Sequence, residues 1–320
     1  MVSTFRLSTE GNWSGGGGVL VRNLQEMLQK DQNVRGESII SLIPRNVANI
    51  AELRAGHYVL IPQNALPWAK VPGTPRERSK MSILSVWTTV SARRARGVVR
   101  ISEAIKLESE SSRSSVVHNV LDSDFETALA SRSSFDCGRP YIATVGSLHS
   151  YRNVPRLISA FKRYRATGGN LDLVIAGWPH PSIVRRLTDL CNRVTGVRLF
   201  AEELSRPQTL SVFESARGII FPSLAEASPL SLLEALALND NVAASDIVGH
   251  DGMVSASGAS LAANAVFNPL SVQSIQKALC TLEDGSGSAT DITWRTRDAR
   301  ALARSNWCSR MSVALAQATA

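Results

Sequence analysis

The sequence predicts a two-domain α/β protein, with parallel sheets flanked by helices. Three observations predict it. At 320 residues the chain exceeds one ordinary core and suits two domains. Hydrophobic residues make up 44% and charged residues 19%, which supplies packed cores and excludes disordered, collagenous and disulfide-stapled classes. From residue 141 onward, short apolar runs alternate with helix-period stripes, the pattern of strands joined by crossover helices.

Taken in order, residues 5–8 make a poor strand, and Leu20, Leu24, Met27 and Leu28 stripe a helix that follows the run Gly15 to Gly18. Residues 38–43, 58–61, 83–86 and 98–101 read as short strands, and 116–119 as a last one. Residues 126–139 read as a linker, which gives domains 1–135 and 136–300, with 301–320 as a separate C-terminal helix. The second half is clearer. Residues 141–145 form a buried-strand pattern ending at Gly146. Asn153 caps a helix with Pro155 in its first turn and Val154, Leu157, Ile158 and Phe161 on one face. Strands follow at 171–176, 197–200, 218–221 and 242–245. Helices follow on the stripe Ile183, Leu187, Leu190, Val194, at 230–238, and on Val272, Ile275, Leu279, Leu282.

No run of 18 apolar residues exists, so a spanning helix is excluded, and the N-terminus lacks the apolar core of a secretory signal. Cys137, Cys191, Cys280 and Cys308 lie far apart and read as free thiols in a reducing, cytoplasmic setting. The net charge of +8 is spread over both halves and selects no partner. Arg76, Arg78, Lys80, Arg93, Arg94 and Arg96 leave peripheral membrane contact open. No aromatic residue lies within either of the two runs, 76–80 and 93–96, so specific nucleic-acid binding is not expected.

Ligands of parallel sheets gather at the carboxyl ends of strands, and three features stand there. The loop from Gly146 and Ser147 to Asn153 brings Arg152 beside a helix start, a phosphate-binding arrangement in principle. The segment from Glu226 to Glu234 contains Ser228 and Pro229, then first-turn amides of Leu230 and Ser231 available to an anion. The run containing Gly16 and Gly17 lets a backbone approach a diphosphate closely.

These stretches carry a resemblance. Val145 to Leu148 with Arg152-Asn153, Leu173 to Gly177, Phe221 to Ser223, Glu226 to Glu234 as a Glu-x7-Glu motif, and Val242 to Asp246 resemble glycosyltransferase family 4. More faintly, Ser14 to Leu24, Ser102 to Ala104, Val117 to Phe125 and Ser305 to Trp307 resemble its other segments. The resemblance implies a GT-B fold: two Rossmann-like domains facing a cleft, the N-terminal one shortened, with the last helix packing back on the N-terminal domain. It implies a retaining transfer from a UDP-, GDP- or dTDP-sugar to an acceptor hydroxyl on a protein, polysaccharide, lipid or small molecule. Glu226 would orient the donor sugar and Glu234 would bind ribose hydroxyls. Arg152 would hold the diphosphate with the amides of Leu230 and Ser231, and the glycine loop would close over it. Neither a cofactor nor a metal is expected.

Departures from the family pattern include Ser147 where many members have Arg, Arg152 where they have Lys, and Pro229 for a frequent Gly. Gln63 and Asn64 stand where acceptor hydroxyls would bind, and His57 and His118 read as structural. The triplet Asp122-Ser123-Asp124 has metal-binding spacing but stands at a turn. Rival readings are a nucleotide-sugar epimerase of the same fold, a NAD-dependent enzyme built on the glycine run, and a non-catalytic nucleotide binder.

Overall fold

The computed structural model describes residues 3–8, 15–30, 38–69, 71, 75–107, 114–178, 183–290 and 293–319. The chain divides into two compact units. One is Met1–Ser123 with Glu226–Leu230 and Arg300–Ala320; the other is Asp124–Ala225 with Ser231–Ala299.

The first unit carries β1 (Ser3–Leu7), α1 (Gly15–Lys30), β2 (Ser38–Ile43), α2 (Ile50–Ala55), β3 (Tyr58–Leu60), α3 (Pro75–Arg94), β4 (Gly97–Arg100) and β5 (Ser114–Val116). Its strands form a parallel sheet in the order β1-β2-β3-β4-β5. β1 corrects the reading of residues 5–8 as a poor strand: five residues pair in register with β2, and that pairing overrides a polar local sequence. Residues 83–86 are also corrected, from strand to the middle of α3. Leu20, Leu24 and Met27 of α1 are buried, as their spacing requires. A capping box between Asn49 and Glu52 starts α2, and left-handed Gly56 ends it.

The second unit carries α4 (Asp124–Ala130), β6 (Tyr141–Val145), α5 (Val154–Ala166), β7 (Asp172–Ala176), α6 (Val184–Asn192), β8 (Val197–Phe200), α7 (Arg206–Ser215), β9 (Gly218–Phe221), α8 (Leu230–Leu238, its first residue grouped with the first unit), β10 (Val242–Ser245), α9 (Val248–Ala256), β11 (Val266–Phe267) and α10 (Val272–Asp284). The last helix, α11 (Arg297–Thr319), begins here and continues into the first unit, where Gln317 accepts a hydrogen bond from Ser115. The boundary at Ser123 falls before α4, not after residue 135. Residues 124–130 form a helix that lies with α7, and Arg132 pairs with Glu214 of α7 at 2.6 Å.

The second sheet is parallel in the order β11-β10-β9-β6-β7-β8. β6, β7, β9 and β10 are buried along their whole length, which explains their continuous apolar runs. Leu157 and Phe161 of α5 join Leu279 and Leu282 of α10 in one core cluster. Strand order reverses between β6 and β9, the position at which open parallel sheets bind their ligands. No helix among the described residues is long and apolar enough to cross a membrane.

Candidate functional site

The loop after β6 is built by close backbone contact. Gly146 and Gly177 both have left-handed backbones, with φ of 143° and 132°. A Cβ on Gly177 would lie 2.0 Å from the Gly146 carbonyl oxygen, so only glycine lets the ends of β6 and β7 meet. Arg152 closes the following single helical turn, Ser150–Arg152, and folds back over Gly146: a Cβ there would stand 3.3 Å from its Nη2. The Arg152 guanidinium lies 5.6 Å from the Tyr151 ring centre, and Tyr151 stacks on His149. Ser147 is exposed beside them.

Asn153 differs from its expected role. Its backbone is left-handed (φ 60°) and its side chain makes no cap. Instead its Nδ2 donates to the carbonyls of Pro222 at 3.0 Å and Pro269 at 2.8 Å. The Leu224 amide donates to the Tyr151 carbonyl at 2.8 Å. The loop after β6 is therefore tied to the loop after β9, on the two sides of the order reversal.

Glu226, Ser228 and Pro229 lie on the continuation of the β9 loop, and α8 begins at Leu230. Pro229 thus takes the cap position, and the amides of Leu230, Ser231 and Leu232 stand at a helix start without intrahelical partners. Glu226 and Ser228 are half-buried, and Ser228 Oγ accepts a 3.4 Å bond from the Asn119 amide.

Glu234, one turn into α8, is buried and already paired. Its Oε1 accepts from Nε of Arg206 at 2.8 Å, and Nη2 of the same guanidinium stands 2.8 Å from that oxygen as an ion pair. Sequence reasoning missed Arg206. A Ser205–Gln208 capping box sets it as the first residue of α7, and its guanidinium also covers the Phe125 ring at 5.6 Å. A second missed residue is His250, in α9 beyond the end of β10. It is 1% exposed, and its Nδ1 stands 3.1 Å from the Ser245 carbonyl. Burial, aided by the charge of Arg152 and opposed by the Ser245 bond, pushes its pKa down to about 3. The ring is neutral, so Nδ1–H donates to Ser245, while Nε2 has no hydrogen-bond partner among the described residues. The only available sequence signal for either residue was proximity to a strand end.

In the first unit, Gly16 and Gly17 belong to the opening turn of α1 and not to a free loop. Gln63 and Asn64 stitch loops together. Asn46 Oδ1 accepts from both their amides at 3.1 and 2.9 Å, Gln63 Nε2 donates to the Pro44 carbonyl, and Asn64 Oδ1 accepts from the Leu66 amide. His118 Nε2 lies 2.8 Å from Glu103, and His57 Nδ1 lies 3.4 Å from Arg96. Asp122 is fully buried and takes Arg22 Nε at 2.6 Å, while Asp124 opens α4. No group of three or more His, Cys, Asp or Glu with metal-binding geometry occurs among the described residues.

Comparisons with known proteins agree with this architecture. The sequence matches no curated protein. Among solved structures, a UDP-forming trehalose-phosphate synthase from Burkholderia xenovorans is similar at 13% identity and a TM-score of 0.61, over 95% of this chain and 79% of that one. A trehalose-6-phosphate synthase studied for glycosyltransfer with retention is similar at 11% identity and a TM-score of 0.59, over 94% and 78%. A mutant of S. aureus TarM, in complex with UDP among other ligands, is similar at 12% identity and a TM-score of 0.56, over 87% and 54%. These likenesses show the fold, GT-B, with two Rossmann-like domains. The sequence model of glycosyl transferases group 1 matches residues 126–298, which holds β6 to β11, Arg152 and both glutamates. The chain belongs to the glycosyl transferases group 1 family.

Proposed function

We propose that this protein transfers a sugar from a nucleoside diphosphate sugar to an acceptor hydroxyl with retention of configuration, as a family 4 enzyme. The observation that carries the reading is the pair of tied loops at the β6/β9 reversal, one holding Arg152 and the other leading into Glu226, the first turn of α8 and Glu234. Arg152 and the amides of Leu230 and Ser231 bind the diphosphate and stabilise the charge that develops as it leaves. Glu226 holds donor-sugar hydroxyls, and Glu234, oriented by Arg206, takes the ribose. Gly146 and Ser147 let the donor approach the backbone. Gln63 and Asn64 shape the acceptor side through the loops they join.

The anomeric carbon–oxygen bond to phosphate breaks, and a bond to the acceptor oxygen forms on the same face. The acceptor proton passes to the departing phosphate oxygen, so no side-chain base and no metal is required. The likeness to a trehalose-6-phosphate synthase studied for glycosyltransfer with retention supports this stereochemistry. Four free thiols suit a reducing, cytoplasmic setting.

The test begins with thermal shift against UDP, GDP and dTDP sugars. Ligand at a hundred times its dissociation constant adds about 2.7 kcal/mol of stability. Arg152→Ala should abolish most of that response, and Glu226→Gln should retain it while turnover collapses. A wild-type rate in Glu226→Gln would sink the assignment. Donor consumption without an acceptor would favour an epimerase, and binding without any turnover a non-catalytic protein.

A further inference from the structure

Helix α3 turns apolar side chains outward, on a face they share with cations. On its packed side Thr88 and Ser91 are fully buried and Ala92 nearly so, with Met81 and Leu84 half-buried along the same face. Ser91 Oγ accepts from the Ala48 amide at 3.0 Å, and the Ser91 carbonyl accepts from the Tyr58 hydroxyl at 2.6 Å. Its outward side is apolar, with Ile83 69%, Val86 64%, Trp87 40% and Val90 38% exposed. The Trp87 indole N–H donates to the Ala48 carbonyl at 3.1 Å, which fixes the ring, and Ile50, 61% exposed, begins α2 just beyond.

The charges follow the same geometry. Arg76, Lys80, Ile83, Trp87, Val90 and Arg94 succeed one another at alternating steps of four and three, so they form one stripe along the helix. Exposed cations therefore stand at both ends of the apolar centre, with Arg93 beside them. The helix has one acid, Glu77, and it shares the spacing of Thr88 and Ser91 on the packed side.

We propose that this face of α3 docks the protein on an anionic membrane surface. The apolar side chains enter the headgroup boundary, the indole lies at the interface, and the flanking cations meet lipid phosphates and carboxylates. Charge complementarity selects this occupant over a second copy of the chain, whose own stripe would bring cation against cation. Four or five apolar side chains also fall short of the 20–30 residues per side that a stable dimer typically buries. The inference is independent of the transfer reaction, because its readout needs no activity.

The experiment is co-sedimentation of the full chain with phosphatidylcholine vesicles, with and without a third of phosphatidylglycerol. The protein should bind the anionic vesicles at least tenfold better than the neutral ones, and about 0.5 M salt should release it. The triple variant Arg76→Gln, Lys80→Gln, Arg94→Gln should lose about fivefold in affinity per cation removed. Ile83→Ser with Val90→Ser should lose tenfold or more. These positions are exposed, so the variants should melt within a few degrees of wild type. Equal binding to both vesicle types, no binding to either, or unchanged binding by both variants would overturn the proposal. A dimer in light scattering that Ile83→Ser dissociates would replace the membrane with a second copy.

Discussion

The pairing of Glu234 with Arg206 ties the stability of the second unit to the residue proposed to bind the donor, and the two roles can be separated. Glu234→Gln keeps the shape and removes the charge. The contact is 2.8 Å long, and the side chains are only 10% and 20% exposed. Removing one partner of a buried pair costs about 3–5 kcal/mol. Water reaches part of Arg206 and Phe125 still covers its guanidinium, so about 2–3 kcal/mol is expected here. For a domain of this size that is a fall in melting temperature of roughly 4–12 °C. Arg206→Met alone should cost a similar amount, because it strands a buried carboxylate. The double variant should cost at least about 1.5 kcal/mol less than the sum of the two singles, since neither charge is then left alone. Calorimetry of the four proteins closes this cycle. Donor titration below the melting transition then isolates function: Glu234→Gln should raise the donor constant about tenfold with little change in kcat, as for a contact present in ground and transition states alike. Strict additivity in the cycle would refute the pairing argument, and an unchanged donor constant would refute the role of Glu234.

Three further perturbations test the surrounding structure. Gly177→Ala forces a Cβ to 2.0 Å from the Gly146 carbonyl at a left-handed backbone, so it should destabilise by more than about 3 kcal/mol and erase nucleotide-induced thermal shift; a wild-type melting temperature would contradict the close approach. His250 titrates at about 3 when folded and near 6.5 when unfolded, so its neutral form contributes stability that is whole above pH 6.5 and is lost as pH falls toward 3. Unfolding free energy should drop by up to about 1.4 kcal/mol per pH unit in that window, and His250→Gln should flatten the slope in urea titrations. Transfer should survive EDTA, and Asp122→Asn should lower the melting temperature through the loss of its 2.6 Å contact with Arg22 while leaving kcat intact; restoration of an EDTA-killed activity by Mn²⁺ or Mg²⁺ would make Asp122 and Asp124 metal ligands instead.

The centre of the second sheet was legible because β6, β7 and β9 are buried along their length, so they are written as apolar runs closed by Gly146, Gly177 and Pro222. The first sheet was less so. β1 contains Arg6 and gains its identity from pairing with β2, a non-local contact that no window of sequence contains. α3 was misread for a different reason. Ile83-Leu-Ser-Val86 resembles a short strand locally, and the helical stripe through Trp87 and Val90 points at no core in its own unit. The expectation that apolar residues face inward fails at Ile83, Val86, Trp87 and Val90, which are exposed.

The candidate site shows the same division at the level of charge. Arg152, Glu226 and Glu234 were readable because each stands at a fixed offset from a strand end or a helix start, and those offsets are local. Their partners were not. Arg206 reaches Glu234 across 28 positions of sequence, and His250 lies close enough to Arg152 for the arginine to lower its pKa across nearly a hundred. The consequence is chemical. Glu234 meets a ligand as a carboxylate already neutralised and held by a guanidinium, so it offers a directed hydrogen-bond acceptor in place of a bare charge. In the proposed reaction such a group would recognise paired hydroxyls without repelling a diphosphate beside it. Arg152 is a cation whose buried neighbour, His250, stays neutral down to acidic pH and adds no second positive charge. In the proposed reaction one cation from the β6 loop would act with the dipole and amides of α8 to hold the diphosphate, and the absence of a second charge on His250 would ease its release after transfer.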